Sequence, residues 1–469
     1  MSTFSGLTTA ASALAAARRG MDVVGQNIAN QGTEGYTRQR VDTSAVAAVA
    51  RSGRFSMGAQ PGQGVRIDGI SRLGDALLDA RVRDAVGASG YWSARAVAAT
   101  TAEAAMQEPT EDGLAARLSQ FWSGWQDLAN TPDSGAAAAV VIESAGSLAA
   151  RIGDGYRAVA SQWTGVRGSV DRTVAQVNEA AGQIAGLNRE IRDALATGRS
   201  ANELIDRRDS LVQSVSRLTG ARGTLEDDGT MTVRLDGNAL VSGVESRQLA
   251  VDGPTSIDAG GRTVVSWAGA SGFPVAVDSG ELGAALGLLA PAQDGGMLAS
   301  LATSYNAVAT ALADTVNTQH RAGVTASGAA GGDFFTISAT GPAALGLSVA
   351  VGSPSDLALA APGAGPLDAG NADAISQLGR AAGAPDAIWA DLVSGFAVGT
   401  AGDVQRARLA ETASVSAVSA QRSVSAVDGD EETVDLLTHQ SAYQAAARVL
   451  TAVDEALDVL INRTGLVGR

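Results

Sequence analysis

Residues 1–40 read MSTFSGLTTAASALAAARRGMDVVGQNIANQGTEGYTRQR, and they decide the fold together with the last forty residues of the chain. Apolar and small residues recur in both stretches at alternating steps of three and four, which is the seam of a coiled-coil helix. We therefore predict two terminal helices that cover one another and then contact neighbouring subunits. The seam residues are Phe4, Leu7, Leu14, Met21 and Ile28 at one end and Leu436, Tyr443, Leu450, Val453, Leu457 and Leu460 at the other.

An alternative is that both seams only cover an ordinary core. The charges of the two ends favour their pairing. Residues 1–40 carry four Arg against Asp22 and Glu34, whereas residues 428–469 carry eight acidic residues against three Arg. The support is weak, because an exposed ion pair contributes only about 0.2–1 kcal/mol.

Length and composition exclude several classes of protein. A chain of 469 residues predicts two to four domains. The net charge of −15 argues against a nucleic-acid partner, and the absence of cysteine excludes disulfides and thiolate metal sites. We see no apolar run of the ~20 residues that membrane insertion requires. Arg18 and Arg19 follow the apolar N-terminal run instead of preceding it, so no cleaved signal peptide is expected.

The order of periodic segments predicts a mainly α protein with a smaller β domain. We expect an elongated rod of long antiparallel helices, with the terminal helices together at one end and a β-rich insertion at the other. The predicted parts are a terminal coiled-coil domain (1–40 and 428–469), a helical rod (41–220, 281–321 and 373–427), a β-rich inserted domain (221–280) and a Gly/Ala-rich excursion (322–372).

Local signals set the expected boundaries within these parts. An Ala-rich helix is predicted over about 134–152, followed by the strongest periodic segment, which runs from Trp163 to Ala194. Ser200 and Glu203 have the spacing of a capping box for the next helix. Asp227-Asp228-Gly229 predicts a hairpin turn, and FPVAVD (273–278) a further strand. The last rod helix is predicted over about 403–427.

Five short patches give the chain its resemblance to the family of flagellar hook-associated protein 1. The N-terminal patch resembles the family's NIAN…GYTRQ motif through Asn27, Asn30, Gly35, Tyr36, Thr37, Arg38 and Gln39, with Gln26 where the family often has another Asn. The other patches are ANELIDRRDSLVQSVSRLTG (201–220, where Arg207 departs from the usual Gln), NTQHRAG (317–323), GGDFFTI (331–337) and SVSAVDGDEE (423–432). GYTRQ favours this family over other rod and hook proteins.

The resemblance implies a function and a set of partners. It implies a structural axial protein of the bacterial flagellum, exported by the type III route and located outside the cell in the hook-proximal layer of the hook–filament junction. The implied partners are the hook protein, the second junction protein (hook-associated protein 3), an export chaperone at the C-terminal helix, and further copies in a ring. Segment 338–372 is too short for the family's large extra domain, so a reduced outer domain is expected.

Several alternatives stay open. Another axial protein of the rod or hook is the nearest alternative, and a secreted helical adhesin or a hydrolase on a similar rod is a more distant one. We find no catalytic motif, no cofactor motif and no metal-binding spacing around His320 or His439, so no enzyme is expected. Asn27, Asn30 and Gly35 have two interpretations: ordinary helix-end residues, or part of a joint between the terminal helix and the body.

Overall fold

The structure is a computed structural model that describes residues 3–47, 62–269, 273–365 and 367–463. Most of this part of the chain is helical, which confirms the predicted fold class. The helices are α1 (Thr3–Ala29), α2 (Ala76–Met106), α3 (Leu114–Asn130), α4 (Gly135–Ala196), α5 (Asn202–Thr219), α6 (Gly280–Leu289), α7 (Met297–Ala322), α8 (Ala343–Gly346), α9 (Gly370–Ser376), α10 (Pro385–Ser425) and α11 (Gly429–Asp458), the last continuing into a π-helical turn (Val459–Arg463).

The strands form small antiparallel sheets between the helices. One hairpin follows α1, a four-stranded meander and a second hairpin follow α5, and a short hairpin follows α7. The strands are β1 (Gln39–Ala45), β2 (Val65–Arg72), β3 (Arg222–Leu225), β4 (Met231–Leu235), β5 (Asn238–Ser242), β6 (Glu245–Ser246), β7 (Leu249–Asp252), β8 (Val264–Trp267), β9 (Phe335–Ile337) and β10 (Leu347–Val349).

Helix α4 is one continuous helix of 62 residues, about 90 Å long at 1.5 Å per residue. The prediction that a first helix ends near residue 152 is therefore wrong. The apolar face continues through Ile152, Tyr156 and Trp163, which are all buried, and this burial outweighs the roughly 1 kcal/mol that each interior glycine costs. Gly155 is needed there, because a β-carbon would overlap the ring of Tyr305 on α7.

Three other helix boundaries differ from the prediction. The capping box at Ser200 does not form, because Ala201 is the residue before the first turn of α5 and no side chain caps it. The segment 281–321 is two helices, α6 and α7, separated around Pro291, whose ring cannot continue a helix interior. The last rod helix begins at Pro385, not near residue 403, because proline is well suited to the first turn.

The β-rich segment also needs correction. FPVAVD forms no strand, only an isolated bridge between Ser266 and Pro274. The segment does not lie at the end of the rod opposite the termini. It lies along the C-terminal half of α4, where the buried Asn188 side chain bonds the backbone of Met231 and Gly243. The apolar residues of β4, β5, β7 and β8 belong to the same core as those of α3, α4 and α7.

The terminal helices α1 and α11 pack together as antiparallel neighbours, which confirms their predicted pairing. Gly6 lies against Val453 and Gly20 against His439. None of the three apolar core clusters found among the described residues includes a residue of either helix.

One 18-residue window of α4 is apolar enough, by length and composition alone, to cross a membrane, with a mean hydropathy of 1.3. The core helix of a folded protein passes the same test, and the buried residues of α4 pack into the main core.

Candidate functional site: the terminal helix pair and its joint

Helix α1 lies close to α11 at two glycines, Gly6 and Gly20. Its buried residues include Ala10, Ala17, Gly20 and Val24, which again follow steps of three and four but lie on a different face. A β-carbon at Gly20 would overlap the His439 ring, so the two helices approach closely there. The seam that sequence periodicity assigned to α1 therefore lies beside this contact, because glycine and alanine allow the closer approach.

The predicted seam residues of α1 stay partly accessible. Leu7, Leu14 and Met21 are half-buried and Ile28 is 39% exposed. The Phe4 side chain lies outside the described part of the structure. On α11 the predicted residues Leu436, Leu450, Val453 and Leu457 are half-buried on the side that faces α1, and Tyr443 is 36% exposed; the side chain of Leu460 is not among those described.

The opposite side of α11 exposes apolar residues. Val434 is 62% exposed, Leu437 57% and Val449 51%. Only two of the 30 residues of α11 are buried, Glu432 and Ala446. In the isolated chain α11 thus keeps one side on α1 and leaves the other open.

Asn27 is the centre of a joint between α1, α11 and the chain that follows α1. Its side chain is 1% exposed. The amide nitrogen donates to Gln39 O (2.9 Å) and to Glu432 Oε2 (3.0 Å), and the amide oxygen accepts from the Tyr36 hydroxyl (2.9 Å) and Gln39 N (3.0 Å). Two donors and two acceptors are the full capacity of an asparagine side chain. Asn27 therefore acts in the joint and is not a helix cap.

Arg38 connects the same loop to the start of α11. Its guanidinium pairs with Glu432 (2.6 Å), Glu431 (2.6 Å) and Asp435 (3.2 Å). Its backbone N–H donates to Ser425 O at the end of α10 (2.8 Å). The Glu432 side chain is 1% exposed, so this pair is buried, and a buried carboxylate needs such partners to offset its desolvation.

Thr37 connects the loop to α5. Its backbone N–H donates to Asp206 Oδ2 (3.2 Å), and its hydroxyl accepts from Arg72 Nη2 (3.0 Å). Arg72 pairs with both Asp206 and Asp209. Burial raises the pKa of Asp206, while the charge of Arg72 and the hydrogen bonds from Thr37 oppose that rise. The joint thus reaches from the terminal helices into the rod.

The remaining residues of the motif have local roles. Asn30 bonds only within the helix end, donating to Gln26 O and accepting from Thr33. Gly35 has a φ of +80°, the left-handed region that glycine adopts without strain. Gln39 accepts from the Asn202 side chain of α5 (3.0 Å). Burial, and then the charges of Asp206 and Glu432, raise the pKa of Tyr36 to about 12, so it stays a neutral donor to Asn27.

A second cluster joins two further patches of the sequence. Asn317 on α7 accepts from the backbone N–H of Phe334 and Phe335 and donates to Phe335 O, each at 2.8 Å. His320 is fully buried, with Nδ1 2.7 Å from Gly332 O and Nε2 accepting from Ala358 N (3.0 Å). Burial lowers the pKa of His320, and these bonds require its neutral form.

Sequence reasoning identified the motif in residues 27–39 but not its partners. Glu431, Glu432, Asp206 and Asp209 lie in the patches 423–432 and 201–220, which were noted only for resemblance. Three of the five patches meet at the joint, and the other two meet at His320. The only sign of these partners in the sequence was that several of the patches contain charged residues. No group of three or more acidic, His or Cys residues suited to a metal is found in the described ranges.

Three family descriptions match this chain. The "Flagellar hook-associated protein FlgK helical domain" matches residues 99–335, about half of the chain. The "Flagella basal body rod protein" description matches residues 7–37, and the "Flagellar basal body rod FlgEFG protein C-terminal" description matches residues 421–463. The last two contain most of the terminal helix pair.

Individual proteins agree with these matches. The chain is 28% identical to flagellar hook-associated protein 1 of Bacillus subtilis over the full length of both. It is 31% identical to the protein of that name from Escherichia coli, over 71% of this chain and 60% of that one. The structure of the flagellar hook junction protein FlgK from Burkholderia pseudomallei has the same fold, with a TM-score of 0.62 over 73% of this chain and 99% of that one, at 16% identity. The chain therefore belongs to the FlgK family of flagellar hook-associated proteins and is a structural component of the extracellular flagellum.

Proposed function

We propose that this protein forms the hook-proximal layer of the hook–filament junction and assembles through its α1–α11 pair. The observation that carries the proposal is the accessibility of apolar residues on that pair. Val434, Leu437 and Val449 are more than half exposed, and Leu14 and Met21 are only half-buried. An apolar surface of this kind is typical of a protein–protein contact.

The same proposal assigns roles to the other parts. The pair α1–α11 is the assembly domain, the helices from α2 to α10 form the rod, and the β-rich segment 221–280 and the excursion 322–372 form its outer surfaces. By the resemblance, the chain is exported by the type III route, docks on the hook protein, supports hook-associated protein 3, and forms a ring with its own copies. A chaperone holds the C-terminal helix before export.

We propose no catalytic role. The relatives named above are structural proteins of the flagellum, and this chain shares the FlgK helical-domain description over residues 99–335.

The assembly proposal is tested by Leu14→Asp and by Leu437→Asp on the exposed side of α11, each introduced alone into the full chain. A charge on a subunit contact costs binding free energy because it loses water without a partner. We expect both variants to fail to enter flagella and both strains to lose swimming. Circular dichroism of the purified variants should show the rod helices still folded.

Val140→Asp is the matched control, because Val140 is 58% exposed on α4, outside the terminal pair. It should enter flagella normally. Normal swimming with both terminal substitutions would refute the proposal. Antibody labelling of detached hooks should show a thin zone at the hook tip, whereas labelling along the whole hook would identify another axial protein.

A further inference from the structure

The terminal helices and the first hairpin form a unit that is separate from the rod core. This terminal unit consists of α1, the loop 30–38, β1, β2 and α11, and Asn27 and Arg38 hold it together through their bonds to Glu432. None of its described residues belongs to, or is partly buried against, any of the three apolar clusters. Packing against the rod core therefore does not fix the angle between the terminal unit and the rod.

Two short linkers connect the terminal unit to the rod. Residues 73–75 join β2 to α2, and residues 426–428 join α10 to α11. Ala426 (φ −75°, ψ 153°) and Asp428 (φ −97°, ψ 116°) are extended and exposed. Gly74 is also exposed, and a β-carbon there would have nothing within 4 Å. Protein hinges lie at element ends of this kind, where a few residues absorb a change in φ and ψ.

Asp206 and Asp209 of α5 hold Arg72, the last residue of β2. Arg72 Nη2 lies 2.5 Å from Asp206 Oδ1, and Arg72 Nη1 lies 3.1 Å from Asp209 Oδ2. We call these three residues the latch. The Nε atom of Arg72 is buried and makes no hydrogen bond with any described residue. The latch thus leaves one donor unsatisfied, and exposure to water would remove that cost.

Asn202 adds two bonds from the same face of α5, one turn before the latch carboxylates. Its side chain donates to Gln39 Oε1 (3.0 Å) and to Ile70 O (3.0 Å). The bond from Arg38 N to Ser425 O (2.8 Å) lies directly beside the second linker, where a rotation displaces atoms least. All these contacts are polar, and breaking such contacts costs little net free energy because water replaces them.

Open grooves adjoin these contacts. A groove of about 320 Å³ lies between α1 and residues 200–204 at the start of α5. Another, of about 730 Å³, lies between the loop 30–37 and the helices α2, α5 and α10. The grooves leave room for the terminal unit to tilt without overlapping the rod.

We propose that the terminal unit turns on the rod about the two linkers, and that the latch holds it in the orientation seen in the structure. Opening moves both partners of each ion pair into water, so it leaves no buried charge alone. The terminal unit and the rod keep their internal bonds, and only the angle between them changes. The inference rests on contacts within one chain and is independent of the assembly proposed above.

The test is a distance measurement by pulsed electron paramagnetic resonance on the full chain. The chain has no cysteine, so spin labels attach only to introduced ones. Ala15→Cys and Gly182→Cys place one label on α1 and one on α4, both at exposed positions. With the latch intact we expect one main distance. Asp206→Asn should add a second distance and raise the ratio of open to closed molecules by about tenfold, the effect of losing a charge-assisted bond.

The latch is tested from its other side by Arg72→Gln, which should produce the same second distance. Asp403→Asn is the matched control, because Asp403 is a buried carboxylate that also pairs with two arginines, Arg95 and Arg406, but inside the rod. It should leave the distance unchanged. The proposal is overturned if Asp206→Asn and Arg72→Gln both keep the single distance, or if the protein with an intact latch already shows two equal populations.

A second label pair distinguishes turning of the terminal unit from its unfolding. Ala15→Cys and Ala445→Cys place both labels inside the unit, on α1 and α11, at exposed positions. Their distance should be the same with and without Asp206→Asn, since the unit turns as one body. If Asp206→Asn broadens this distance, the unit comes apart instead of turning, and the proposal is overturned.

Discussion

Helices α4 and α11 are both long, yet they are stabilised in different ways. In α4, 22 of 62 residues are buried, and most of the apolar ones belong to the main core. In α11 only two of 30 residues are buried, and one of these is the charged Glu432. The rod is held by apolar packing, whereas the terminal pair is held by a polar joint at one end and by small-residue contact along its length. As part of the hook–filament junction, the chain keeps a stable body and an incompletely covered terminal pair.

The largest local effect is expected from Arg38→Met. This change leaves the buried Glu432 carboxylate with only Asn27 as a partner, and removing one member of a buried ion pair costs about 3–5 kcal/mol. Hydrogen exchange measured by mass spectrometry should show faster exchange across α1 and α11 and unchanged exchange in α4. Equal acceleration in α4 would show that the two regions unfold as one unit.

The companion substitution Glu432→Gln keeps the shape and removes the charge. It should cost less than Arg38→Met, since Gln can still accept from Asn27. The double variant Arg38→Met/Glu432→Gln should be less destabilised than the sum of the two, because it does not contain the unpaired buried carboxylate that Arg38→Met alone leaves.

The corresponding experiment in the rod is the substitution Ile184→Ala. Ile184 is fully buried in the main core, so a cavity there should cost about 2–5 kcal/mol. The matched change Leu450→Ala, at a half-buried position, should cost about 1 kcal/mol. Thermal unfolding followed by circular dichroism measures both. A larger Tm decrease for Leu450→Ala would contradict the division of the chain into a packed rod and a loosely covered pair.

Two glycines of α1 provide the sharpest comparison within the terminal pair. Gly20→Ala should force the His439 ring to turn away from α1 and destabilise the pair by about 1–3 kcal/mol, because its β-carbon overlaps that ring. Gly25→Ala has nothing within 4 Å of its β-carbon and should stabilise the helix by about 0.5–1 kcal/mol. Amide hydrogen exchange in α1 should therefore be faster in Gly20→Ala and slower in Gly25→Ala than in the wild type. The same direction for both would argue against the close contact of α1 with α11.

The smallest effect concerns pH and the rod. Burial lowers the pKa of His320, so the unfolded chain binds a proton at higher pH than the folded one. The contribution of His320 to the free energy of unfolding is therefore fully present above its unfolded-state pKa of about 6.5. It falls with decreasing pH, by at most about 1.4 kcal/mol per pH unit, until the folded pKa is reached. Unfolding free energies of wild type and His320→Gln between pH 7.5 and 5.5 measure this difference. If His320→Gln keeps the same pH dependence, that dependence comes from other groups.

Periodicity predicted the helices of this chain well where their apolar faces are long. It located α1, α5 and α11 and predicted that the two termini pair. It failed at α4, where an Ala-rich helix over about 134–152 was separated from the periodic segment that begins at Trp163, although burial of Ile152 and Tyr156 continues the helix between them. Periodicity marks large apolar residues, so it did not point to Gly20, which lies against His439 of α11.

The joint shows that local sequence patterns have the same limit for polar contacts. The residues Asn27 and Arg38 stood in a motif, but their partner Glu432 is 405 positions from Asn27 along the chain. Nothing local relates such distant residues, since the bond exists only after α11 has folded back along α1. The sequence by itself determined the helical class, the terminal helices and the motif that resembles one family. Only the tertiary structure decided which face of α1 is covered and which carboxylates satisfy Arg38. The physical reason is that helix formation depends on neighbours three and four residues apart, whereas the burial and pairing of a charge depend on groups that the fold brings together.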